Sequence, residues 1–103
     1  MAYEIVHTRS AGLDFDGIIH YITFRLNNPM AAYNLRDEYQ SRLATLRESP
    51  RFYRPAYIEK FSRKGYHQFT FGNSTAFYNI DDEAKTVYIV RIFYKKQDYE
   101  SIL

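Results

Sequence analysis

Arg91 stands inside an otherwise apolar run, Val87 to Phe93. A guanidinium in that setting must be paired or aimed at a ligand, because an uncompensated buried charge costs several kcal/mol. Tyr94, Lys95, Lys96, Asp98 and Tyr99 follow directly. The end of this strand therefore gathers cations suited to an anionic ligand and phenols with a transferable proton. A carboxylate such as Asp98 is the obvious local partner for Arg91 if the residue is structural instead. A second concentration lies at residues 51–67, RFYRPAYIEKFSRKGYH, where five Arg/Lys stand against a single Glu with Phe52, Tyr53, Tyr57, Phe61 and Tyr66 between them. Rings that stack on bases and cations that hold phosphates would suit RNA. The same residues also suit a surface segment tacked down by amphipathic rings.

Charge and composition fit both readings. Net charge is +2 over 103 residues, but residues 1–50 carry five Arg/Lys and six Asp/Glu, while 51–103 carry nine and six. Eleven Tyr and eight Phe without a Trp make the chain unusually phenolic. Cysteine is absent, which excludes a disulfide framework, a thiolate nucleophile and a Cys-based zinc site. No histidine or carboxylate spacing suggests a metal, since Asp81-Asp82-Glu83 belongs to a turn, so no cofactor or metal is expected. The N-terminus has no signal-peptide pattern and no apolar run reaches membrane-spanning length, which points to a cytoplasmic protein without a membrane partner.

The elements that must position these groups are legible from spacing. Residues 3–8 alternate as a first strand. Ser10 is a candidate cap for a helix carrying Leu13, Phe15, Ile18, Ile19, Ile22 and Leu26 at helical intervals. Asn27-Asn28-Pro29 stops that helix and starts another, with Asn as N-cap and Pro at the first helical position. The second helix places Ala32, Leu35, Tyr39, Leu43 and Leu46 on one stripe and ends at Ser49-Pro50. Residues 51–65 read as a loop with a short helical turn. Three strands follow, near 66–71, 74–80 and 86–94, joined by Gly72-Asn73 and the Asp81 to Glu83 turn as an antiparallel meander. Val87, Ile89 and Phe93 alternate with Tyr88, Val90 and Ile92, so the last strand is apolar on both sides and should be central. His7 and His20 fall on the first strand and first helix as structural residues. Tyr21, Phe24 and Tyr33 lie outside the stripes of the helical pair. The expected product is a single α+β domain over 1–103. It has an antiparallel twisted sheet of about four strands, an N-terminal two-helix hairpin on one face, β-α-α-β-β-β order and a short C-terminal helical turn.

This pattern resembles the RelE/ParE superfamily of toxins from type II toxin–antitoxin systems. The resemblance is carried by NNPMAA at the helical corner, LRESP at the end of the hairpin, and FYNIDDEAKTVYIVRIFYKKQDYESIL. The matching positions in the last segment are Val87, Ile89, Arg91, Ile92, Lys95, Lys96, Asp98, Ile102 and Leu103. It implies a cognate antitoxin, bound as an amphipathic helix or added strand, and one of two targets. Those are ribosome-bound mRNA, cleaved in the A site, or DNA gyrase, inhibited without chemistry.

For metal-free cleavage of mRNA, Lys95 and Lys96 would hold the phosphate, Arg91 would support them, and Tyr94 or Tyr99 would supply the proton. Arg63, Lys64 and His67 would add nucleic-acid contacts, with His67 as a substitute base. Two positions depart from the RelE-like pattern. Tyr94 stands where many relatives have a histidine, and its ordinary pKa of about 10 makes it a poor base. Thr75 stands where an arginine is usual. The basic strand end favours ribosome-dependent mRNA cleavage. Gyrase inhibition, or a degenerate toxin that only binds antitoxin, are the alternatives.

Overall fold

The computed structural model describes residues 2–95. Lys96, Asp98, Tyr99 and the expected closing helical turn lie outside them. Chain order is β1 (Glu4–His7), α1 (Arg9–His20), a π-helical turn (Tyr21–Arg25), α2 (Pro29–Glu48), α3 (Glu59–Arg63), β2 (His67–Phe71), β3 (Ser74–Asp81) and β4 (Thr86–Tyr94). The sheet runs β1-β4-β3-β2. The meander β2-β3-β4 is antiparallel as its short turns require, but β1 joins β4 in parallel, so the sheet is mixed. A two-residue turn forces a reversal of direction. β1 reaches β4 only after three α-helices and two strands, and no turn dictates its sense.

The N-cap of α1 is Thr8, two residues before the expected Ser10, and one hydroxyl explains the difference. Thr8 Oγ1 accepts the Ala11 N–H at 3.1 Å and donates to the Val90 carbonyl at 2.9 Å, so it caps the helix and ties it to β4 together. α1 ends in a π-helical turn with the Leu26 N–H on the Tyr21 carbonyl, and Asn27 then takes a left-handed φ of 50°. Asn28 caps α2 through its side chain and Pro29 opens it, as the Asn-Asn-Pro corner implied. The stripe Ala32, Leu35, Tyr39, Leu43 and Leu46 is buried in full. It packs with Ile18, Ile22, Phe69, Phe71, Tyr78, Val87, Ile89 and Ile92 into the main core between hairpin and sheet. Gly72, in the β2–β3 turn, has φ +57°, and a Cβ there would meet Leu35 Cδ1 at 2.5 Å. Any side chain there would be strained at this φ and would have to displace the Leu35 side chain.

The opposite face of the sheet is covered too. Residues 56–66 fold back across it, and Phe61, fully buried on α3, packs edge-on against Phe77 at 5.5 Å, with Phe93 and Ala56 completing a small second core. β4 is therefore central and covered on both sides. Its alternation slips, however, at one residue. Phe77 faces Arg91 while Tyr78 faces Ile89, which leaves Val90 as a bulge. Val87 and Ile89 point to the helices before the bulge, Ile92 does so after it, and Phe93 goes to the second core. The strict two-residue period had grouped Phe93 with Val87 and Ile89.

Three ties hold the periphery. Arg51 binds Asp82 with two hydrogen bonds of 3.0 and 2.7 Å while Tyr3 donates to the same carboxylate, and the Arg51 guanidinium together with the Tyr3 hydroxyl holds Asp82 down at about 2. Glu38 accepts both the Arg42 guanidinium and the Gly72 N–H, and so pins α2 to the β2–β3 turn. His7 meets the Tyr39 hydroxyl at 2.7 Å, and partial burial lowers its pKa from 6.5. The folded chain thus binds fewer protons here than the unfolded chain. Its stability should be fully present above pH 6.5 and decline as pH falls through the lower folded value. Denaturant melts at pH 7.5 and pH 5 should show this decline, and His7→Gln should flatten its share; an unchanged pH slope in that variant would discount the residue.

Candidate functional site

Beyond His7 the first strand stops, and the rim of β4 from Val90 onward has no strand beside it. α1 closes that rim. Thr8 takes the Ile89 and Val90 carbonyls, and one turn and a half later Asp14 takes the Ile92 N–H at 2.9 Å. The same carboxylate receives Arg91 on both oxygens, Nε at 2.7 Å and Nη2 at 3.1 Å. Arg91 shares a face with Phe77, lays its guanidinium 5.1 Å from the Phe93 ring centre, and wraps the sheet edge to reach the helix. Both side chains are mostly buried, at 26% and 18% exposure. The hydrogen bonds to Asp14 raise the Arg91 pKa, so its charge is permanent. Its partner among the described residues is Asp14, from a distant helix, where the sequence had suggested the neighbouring Asp98.

The other candidates part company here. Tyr94 turns to the helix side, where its ring lies 5.8 Å from that of Tyr21, and Lys95 has a left-handed φ of 60° with its N–H on the Asn73 carbonyl at 2.6 Å. Lys95 Nζ lies 5.3 Å from the centre of the Tyr94 ring. Leu13, Gly17 and Tyr21 face these two across a shallow groove of about 410 Å³, with Asp14 at its edge. Arg63 is paired with Glu59 at 2.6 Å on α3, and Lys64 caps that helix. His67 stacks on Tyr78 at 5.3 Å and bonds through Nδ1 to the Tyr53 carbonyl at 3.1 Å. Tyr78 belongs to the hairpin-side core, whereas Arg91 rises from the other face, so the sheet does not bring His67 to Arg91. Thr75 is buried opposite Phe93. Among the described candidates, Tyr94 and Lys95 share this groove, and Arg91 is joined to its edge only through Asp14.

The family model for the ParE toxin of type II toxin–antitoxin systems, parDE, matches residues 5–99. The chain belongs to the ParE toxin family. Solved toxin–antitoxin structures are similar to it in fold. The chromosomal ParDE toxin–antitoxin system from P. aeruginosa is 20% identical with a TM-score of 0.68, over 92% of this chain and 98% of that one. The RelBE2 toxin–antitoxin complex from Mycobacterium tuberculosis is 22% identical with a TM-score of 0.63, over 92% and 100%. No curated protein matches the sequence. This ParE-family chain is thus a toxin of a type II system, and none of its described helices is long and apolar enough to cross a membrane.

Within the ParE-family fold, sequence reasoning missed Asp14. Its only signal was the demand made by Arg91 for a carboxylate, and nothing local says which one answers. The exposed apolar residues at the tip of the hairpin form a broader patch than Tyr21, Phe24 and Tyr33 suggested. Phe24, Leu26, Met30 and Tyr33 are 68%, 48%, 67% and 62% exposed around the Asn27-Asn28 corner.

Proposed function

We propose that this ParE-family toxin arrests growth by gripping DNA gyrase without chemistry, and that a cognate antitoxin neutralises it in the cytoplasm where gyrase works. The carrying observation is the closure of Arg91 onto Asp14 beside a sheet face already filled by Phe61, Phe77 and Phe93. RNA cleavage without a metal needs a base, a cation and an acid converging on an open surface. Arg91, Arg63 and His67 instead face Asp14, Glu59 and the Tyr53 carbonyl. A protein target asks for something different, an exposed apolar patch with rings to bury, and the hairpin tip supplies Phe24, Leu26, Met30 and Tyr33. An antitoxin partner is supported by the kinship with toxins whose structures are those of toxin–antitoxin systems.

Two assays run side by side test this. Purified toxin should block supercoiling by gyrase and leave mRNA intact in a ribosome-dependent cell-free translation reaction. Cleaved message with unimpaired supercoiling would reverse the reading in favour of an mRNA endonuclease built on Arg91, Tyr94, Lys95, Lys96 and Tyr99. Harmless expression with inactivity in both assays would leave a degenerate toxin.

A further inference from the structure

A cleft of about 370 Å³ lies at the outer edge of β2, with β3 between its floor and Arg91 on β4. Arg42 of α2 forms one wall, Phe52, Arg54 and Tyr57 the other, and Gln68 and Thr70 the floor. Outer edge strands ordinarily invite another strand, but this one is already engaged. The Gln68 N–H reaches the Arg54 carbonyl at 3.4 Å, Arg42 Nε donates to the Thr70 carbonyl at 3.0 Å, and Gln68 Oε1 accepts the Tyr57 N–H at 3.1 Å. A ligand here must be read by side chains.

Those side chains are two flat rings and two guanidiniums. Phe52 is 68% exposed and Tyr57 74% exposed. Phe52 is held edge-on by Tyr53 at 5.1 Å, and Tyr53 in turn packs on Phe69 at 5.2 Å, so the ring is placed yet open to solvent. The Arg54 guanidinium lies 5.7 Å from the Tyr57 ring centre and has no carboxylate partner among the described residues. Arg42 shares its charge with Glu38 at 3.3 Å, which leaves Arg54 the stronger anion contact. A planar base against an aromatic face with a phosphate on an adjacent cation is the chemistry of single-stranded nucleic-acid recognition. An acidic peptide would use the cations and leave the exposed rings idle.

We propose that the Phe52–Arg54–Tyr57 cleft binds a nucleotide unit of single-stranded nucleic acid, with the base stacked on Tyr57 or Phe52 and the phosphate on Arg54 and Arg42. The site is separate from the hairpin tip and does not depend on gyrase being the target. Fluorescence anisotropy with labelled single-stranded DNA and RNA of about 8 nucleotides tests it, since sites of this kind span roughly 4–16. Binding should weaken as salt rises. Tyr57→Ala should reduce affinity about tenfold, and Arg54→Ala should weaken binding and lower the salt slope by roughly one phosphate contact. Displacement by AMP at equal site occupancy would assign the cleft to free nucleotides, and resistance to AMP would assign it to strands. Circular dichroism melts keep the reading clean, because both residues are exposed and their variants should unfold like the parent. No binding of oligonucleotide or AMP, affinity unchanged in both variants, or capture of a poly-glutamate peptide in preference to either would overturn the proposal.

Discussion

Replacing Asp14 with alanine should lower the unfolding free energy by about 2–4 kcal/mol, with a fall in Tm of roughly 10–25 °C for a chain of this size. The carboxylate accepts three hydrogen bonds, two from Arg91 and one from the Ile92 N–H. Its loss leaves a mostly buried guanidinium and a strand N–H without acceptors, and leaving buried partners unsatisfied costs more than the pair contributes when intact. Asp14→Asn should fall between, because the amide oxygen keeps one acceptor and gives up the charge. A double-mutant cycle with Arg91→Met isolates the pair; the two losses should not add, and a coupling of about 1–3 kcal/mol is expected. A fall below about 1 kcal/mol for Asp14→Ala would mean that the pair is solvent-screened and that Arg91 is available for other work.

Phe61→Ala should cost about 3–5 kcal/mol, the usual range for emptying a buried phenylalanine site. Phe61 is fully buried, with Phe77 and Tyr66 around it at 5.5 and 6.2 Å between ring centres. α3 has five residues, too few to be helical alone, so its order depends on packing against the sheet, with Phe61 as the fully buried anchor beside Ala56, Ile58 and Tyr66. Hydrogen exchange should therefore lose protection over 58–66 in the variant while α2 keeps its own. Unchanged stability would show that the second face of the sheet is open in solution. The main structural support for a protein-gripping toxin would go with it. The two substitutions act on different elements and report separately on the rim of β4 and on the covered face.

Much of this architecture is written locally. The Asn28-Pro29 cap, the Ala32 to Leu46 stripe and the strands at 67–71, 74–81 and 86–94 follow from capping chemistry and from periods of 3.6 and 2, which a few neighbouring residues specify. What escaped has one cause in common. The parallel sense of β1, the bulge at Val90 and the seating of Phe61 on Phe77 all depend on residues remote in the chain, and no local period encodes them. The Thr8 cap was missed because its hydroxyl also serves Val90, a tie that makes Thr8 a better cap than Ser10.

The candidate site shows the same division more sharply. By itself the sequence determined that Arg91 must be paired or aimed at a ligand, that cations and phenols crowd the end of β4, that the segment 51–67 is basic and aromatic, and that the chain resembles RelE/ParE toxins. Tertiary structure alone decided that Asp14 supplies the partner, that His67 lies on the other face from Arg91, and that Phe52, Arg54 and Tyr57 line a cleft with Arg42 of α2. Burying a charge dictates that a partner exists, whereas the identity of the partner depends on which helix the folded backbone lays against the strand edge. Need is a property of residues, and satisfaction is a property of the fold.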